Sequence, residues 1–165
     1  MTSARTILLL FAATVLSGLL AGGVMDRVIV SGPAWHEMGA QAWLQYSRHA
    51  DLGTGLIAYP IEGIGTPILI IAAIVSSYVD RKSRSAVVAP LYVAAFFSIA
   101  GLVLTIKAAP IMLALGGPVP TAAVQSAFDD FFMWGLYLRG AADVLAFVGL
   151  AWALSSAYEP EYPSP

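Results

Sequence analysis

Four apolar runs dominate this sequence, and each is long enough to cross a bilayer as a helix. Thr6 to Met25 is uninterrupted by charge, and Thr54 to Val79 carries a single acid, Glu62. A third run extends from Ala86 to Lys107, and a fourth, from Phe131 to Tyr158, holds Arg139 and Asp143. About 20 residues at 1.5 Å of rise match a hydrocarbon core of about 30 Å. A backbone in lipid must satisfy its own hydrogen bonds, so runs of this length and composition dictate helices. With 59% of its 165 residues hydrophobic and 11% charged, the chain has too little polar surface for a soluble domain of its size. The expectation is an all-α, four-helix transmembrane bundle in one membrane domain, 1–158. Its spans cover about 6–25, 54–79, 86–107 and 131–158, and the proline-rich tail 159–165 is too polar to fold. A cleaved leader is the rival reading of the first run, because Ser17-Gly18 and Ala21-Gly22-Gly23 within it are small residues of the kind found near cleavage sites.

Charge sets the orientation and removes one class of partner. Arg5 precedes the first run, and Arg81, Lys82 and Arg84 fill the turn between the second and third. Both segments fall on one side of a four-span bundle, and loops rich in Lys and Arg stay in the cytoplasm. The chain is therefore expected in the cell membrane as a multi-pass protein with cytoplasmic N- and C-termini, although Arg27, Arg48 and Lys107 on the other side oppose that sense. Lipid is then the standing partner, and a homo-oligomer is open. Eight scattered basic residues against ten acids give no nucleic-acid surface. Cysteine is absent, which excludes disulfides, thiolate metal sites and thiol catalysis.

The connection between the first two runs has a pattern of its own. Drawn at 100° per residue from Pro33 to Ala50, one face collects Trp35, Met38, Ala42, Trp43, Tyr46, His49 and Ala50, while Glu37, Gln41, Gln45 and Arg48 fall opposite. The spacing predicts an amphipathic cap helix, about 33–50, between helices one and two, with its aromatics at the membrane interface.

Ionisable groups inside a span cost roughly 2.5–3.5 kcal/mol each on insertion scales, so each needs a partner or a task. Glu62 and Arg139 both stand eight residues in from the outer ends of their runs, about 12 Å deep. Arg139 and Asp143 are four apart on one helical face, close enough to pair. One reading makes Glu62, Arg139 and Asp143 the polar floor of a pocket that opens outward; the other makes them a structural ion pair fixing helix register. His49, three turns above Glu62, is a candidate base oriented by Asp51 or Asp26, against the plainer role of an interfacial histidine. Asp26, Arg27, Arg48 and Asp51 complete the polar residues at this end, and Trp35, Tyr59, Trp134 and Tyr137 are the aromatic candidates for contact with a substrate. A metal set drawn from His36, His49, Asp51 and Glu62 has no recognisable ligand spacing, and no metal site is assigned.

Several of these segments carry a family resemblance. Gly22-Gly23-Val24-Met25-Asp26-Arg27, then Pro33-Ala34-Trp35, then Tyr46-Ser47-Arg48-His49-Ala50-Asp51-Leu52-Gly53 resemble a family of small four-helix membrane proteins that includes the anthrone oxygenases. Phe132-Met133-Trp134 with Arg139 and Asp143 looks like that family's last helix, without the Asn-His pair common there. The resemblance implies an oxidoreductase that oxidises a lipophilic aromatic substrate with O₂ and uses no metal, flavin or other cofactor. His49 or Glu62 would be the base, and Arg139 would stabilise the developing oxyanion. Two other functions remain open on the residues alone. They are a proton-coupled small-molecule transporter and a structural or accessory subunit of a membrane complex.

Overall fold

The computed structural model describes residues 2–79 and 85–158. The basic turn Arg81, Lys82, Arg84 and the tail 159–165 lie outside the described residues. No strand occurs among those described. The chain begins with α1 (Ala4–Asp26), whose first turn is closed by the Ser3 side chain accepting from the Thr6 N–H at 3.2 Å. A π-helical segment, Arg27–Ser31, continues it into α2 (Gly32–Met38). Next come α3 (Ala40–His49), a second π segment (Ala50–Thr54) and α4 (Gly55–Val79). After α5 (Ser85–Ala114) follow α6 (Thr121–Phe131), a third π segment (Phe132–Leu138) and α7 (Arg139–Tyr158).

Four stretches, Ala4–Met38, Ala40–Val79, Ala86–Ala114 and Thr121–Tyr158, are each long and apolar enough to cross a membrane. Helix one was expected to stop at Met25 and in fact runs on to Met38 through the π segment. The third was expected to end at Lys107 and continues through Pro110 to Ala114, and the fourth begins ten residues before Phe131, at Thr121. At 35 residues the first stretch is about 50 Å long, well beyond the hydrocarbon thickness.

The expected single amphipathic helix is two helices. Gly39 separates α2 from α3 at φ +87°, a backbone conformation that side-chain-bearing residues avoid. The break resets the angular register, so a face drawn straight from 33 to 50 does not survive. Trp35, Ala40, Trp43, Leu44 and Ser47 are buried, whereas Met38, Tyr46 and His49, placed on the same face by periodicity, are exposed.

Packing divides into two apolar cores. α1 lies between α4 and α7, and α5 closes the ring by packing on α7 and α4. Toward the chain termini, Leu10, Ala13, Ile70, Leu91, Ala94 and Leu150 form a dense plug, each fully buried. At the opposite end α2, α3 and α6 contribute an aromatic knot, in which Trp43 stands edge-on to Phe128 at 5.3 Å and Phe128 lies 4.4 Å from Phe132. α5 and α7 come into close backbone contact at Gly149, where a Cβ would come within 3.0 Å of the Ala94 backbone nitrogen. Backbone cannot yield as a side chain can.

Gly149→Leu is therefore expected to lower stability by about 1–3 kcal/mol, as overpacking typically does. Gly22→Ala, at a position with nothing within 4 Å, should leave it unchanged or slightly raised. Thermal unfolding of both variants in the same detergent checks the contrast.

Candidate functional site

Between the plug and the aromatic knot the four long helices do not fill their own interior. They leave a partly open cavity of about 320 Å³, walled mainly by aliphatic side chains and bounded toward the knot by Ala108, Met112 and Phe131. Its polar lining is a belt from every helix of the ring. Ser17 comes from α1, Thr66 from α4, Ser98 and Thr105 from α5, and Asp143 from α7.

Two arginine–aspartate pairs stand on this wall. Arg27, in the first π segment, forms an ion pair with Asp51, in the second, and also donates to the Tyr59 hydroxyl. Tyr59 in turn donates to the same carboxylate oxygen of Asp51 at 3.2 Å, and the Arg27 guanidinium sits 5.0 Å from the Tyr59 ring centroid. Arg27 is thus held in a closed triangle that ties the end of α1 to the start of α4. Arg139 and Asp143 make the second pair, four residues apart along α7, with Nε 3.8 Å from Oδ2. That separation allows electrostatic attraction but no hydrogen bond. Asp143 leans the other way: a Cβ at Gly101 would come within 2.6 Å of its Oδ1, so the carboxylate rests against the α5 backbone. Arg139 donates from Nε to the Gly135 carbonyl at 3.1 Å, and its terminal nitrogens make no hydrogen bond to any described residue. Arg27 is anchored through one terminal nitrogen shared by two partners, whereas neither terminal nitrogen of Arg139 has a hydrogen-bond partner among the described residues.

The sequence-derived candidates separate into those the fold gathers and those it does not. Arg27, Asp51, Tyr59, Arg139 and Asp143 line the cavity together. Glu62 does not line it. It borders a neighbouring recess of about 70 Å³ whose walls include Arg27, Tyr59 and Arg139, and it makes no ion pair among the described residues. His49 is exposed on α3, and its Nδ1 lies 2.8 Å from the Gln45 carbonyl one turn back; as a base acting in this cavity it is out of reach. Arg48 bonds the Leu115 and Gly117 carbonyls, tying α3 to the turn after α5, and Asp26 is exposed.

Among the aromatic candidates only Tyr59 touches the cavity. Trp35 is buried in the knot, 5.1 Å from Tyr46 and 6.1 Å from Phe132. Trp134 is covered by the Lys107 ammonium at 4.4 Å from its ring, and Tyr137 is exposed beside Phe132. Of the residues weighed as a metal set, His36 packs against Phe128 and Phe132 while the other three are dispersed as described. No three His, Asp or Glu among the described residues stand close enough to share an ion.

Sequence reasoning missed Ser17, Thr66, Ser98, Gly101 and Thr105 as cavity residues. Small and hydroxyl side chains inside membrane helices occur equally at packing contacts, where Thr66 and Thr105 also satisfy themselves on carbonyls one turn back. Their spacing alone held no usable signal.

Asp51→Ala should cost about 3–5 kcal/mol, because it leaves the Arg27 charge buried without its counter-ion. Tyr59→Phe, which removes one neutral partner, should cost about 1 kcal/mol. Thermal unfolding of the single and double variants checks this, and the double is expected to fall clearly short of additivity. No family model, curated protein or solved structure matches this chain.

Proposed function

We propose that this chain is a multi-pass protein of the cell membrane, its termini cytoplasmic, whose inter-helix cavity binds a small lipophilic molecule and presents that molecule's polar oxygen to Arg139. The observation that carries the reading is an apolar cavity inside the ring of helices with a guanidinium on its wall that retains free donors. Its volume of about 320 Å³ falls in the range of small-molecule sites, which combine apolar walls with a few convergent polar groups. In this arrangement α2, α3 and α6 cap the outer end of the bundle, and their aromatic knot keeps water from the cavity.

The resemblance to the anthrone oxygenases extends this reading to a reaction. A carboxylate takes a proton from an activated carbon of the bound substrate, the carbanion passes one electron to O₂, and the carbon radical and superoxide combine to a peroxide anion that takes the proton back from the carboxylic acid. Arg139 stabilises the negative charge on the substrate oxygen, and Asp143, on the same wall, replaces His49 as the base. A dry apolar cavity strengthens both interactions. The transporter reading requires access from both faces, and the fully buried plug toward the termini argues against it.

Native mass spectrometry of the protein extracted from membranes in mild detergent tests the site. The expected result is a retained small-molecule adduct on the wild type, lost when Leu102→Trp fills the cavity. Arg139→Gln should weaken binding of that molecule by about 10- to 100-fold, the worth of a charged hydrogen bond of roughly 1.5–3 kcal/mol. Equal retention by all three proteins overturns the site.

A further inference from the structure

The cavity wall is not equally thick all round. Four residues that line it are also exposed on the outside of the bundle, Leu56 (52%), Pro60, Ile64 (50%) and Leu113 (57%). All four belong to α4 and α5. The residues that α1 and α7 supply, among them Ser17, Leu20, Asp143 and Ala146, are buried or, for Arg139, mostly so. Leu56, Pro60 and Ile64 recur every four residues, so they form one stripe along α4, about 12 Å from end to end. Leu102, Thr105, Ala109 and Leu113 recur every three or four residues and form the facing stripe on α5, the first three of them half-buried.

A second and independent feature singles out the same two helices. α4 contains Pro60 and Pro67, and α5 contains Pro90 and Pro110, whereas α1 and α7 contain no proline. Each internal proline removes the hydrogen bond that its missing N–H would give to the carbonyl four residues earlier, and helices bend at such points. Pro60 frees the Leu56 carbonyl within the stripe itself, and Pro110 frees the Ile106 carbonyl in the turn between Thr105 and Ala109. The side of the ring with the thinnest wall is thus also the side whose helices yield most readily. On the opposite side, Gly140 meets Val24 and Gly18 meets Phe147 in close contact, which leaves no such slack between α1 and α7.

We propose that the seam between α4 and α5 is a lateral portal through which the cavity's ligand passes to and from the hydrocarbon phase of the bilayer. The inference rests on the reading of the cavity as a ligand site in a membrane-spanning bundle, and it restricts the ligand to molecules that partition into lipid tails. The stripe is apolar along its length, so a molecule dissolved in those tails meets no charged barrier until it reaches the arginine–aspartate belt. Arg27, clamped by Asp51 and Tyr59, holds the start of α4 in place while the middle of that helix moves.

The absence of cysteine makes a single nitroxide label unambiguous. Thr105→Cys, labelled and reconstituted in phosphatidylcholine vesicles, places the probe on the cavity side of the seam, with Phe96→Cys as a lipid-facing control and Gly117→Cys as an aqueous one. Collision with O₂ is expected to exceed collision with a water-soluble nickel chelate severalfold, as at the Phe96 control. A label that favours the nickel chelate, like the Gly117 control, overturns the portal in favour of aqueous access; a label reached by neither overturns it in favour of a sealed cavity. Should Thr105→Cys fail to fold, Ala109→Cys, half-buried on the same cavity-lining stripe, carries the same reading. Failure of the ligand site itself is distinguishable, because the wild type would then retain no adduct whatever the label reports.

Discussion

The clamp of Arg27 on Asp51 and Tyr59 is the interaction on which the upper half of this molecule depends. It joins the extension of α1 to the start of α4 across a stretch of chain that contains two π segments, two short helices and a left-handed glycine. Both charges are nearly withdrawn from solvent, with side-chain exposures of 11% and 4%. Neither ion could remain there alone, since an unpaired buried charge costs several kcal/mol. Each arm of the connection is therefore fixed by the other. With α4 held at its start, the cavity acquires a defined wall, and Tyr59 is turned toward Arg27 rather than toward lipid.

The second pair follows a different logic. Arg139 and Asp143 are four residues apart on one helix and need no tertiary structure to meet, yet they stop at 3.8 Å while Asp143 rests against Gly101. Loose pairing leaves the Arg139 terminal nitrogens unspent. Under the proposed binding of a polar oxygen, donors of this kind would be fixed in position before a ligand arrives. The aromatic knot bounds the cavity at one end and the aliphatic plug lies toward the other, so the cavity occupies the layer of the bundle that neither core fills.

The π segments explain why facing could not be read from spacing. All three lie toward the knot end, and they carry or adjoin Arg27, Asp51 and Arg139. Their i→i+5 hydrogen bonding turns the helix by a different amount from the 100° per residue assumed for an α-helix. Gly53 adds a non-helical turn before α4. A side chain beyond such a segment points somewhere that counting does not predict. His49 loses its expected facing to a different break. It was placed near a pocket by a face running unbroken from residue 33, and it emerges on the exposed side of α3 because Gly39 had already reset the register.

Sequence by itself determined the four apolar helices and the Arg139–Asp143 pairing, because each follows from composition or from local helical geometry. Hydropathy needs only neighbours in the chain, and an i,i+4 contact needs only one turn of helix. Only the tertiary structure decided that Arg27 meets Asp51, that Tyr59 faces the cavity while Trp35, Trp134 and Tyr137 do not, and that a cavity exists at all. Those outcomes depend on how helices distant in sequence are rotated against one another, and rotation was set by π segments, one left-handed glycine and close glycine contacts whose effects are felt only across the bundle.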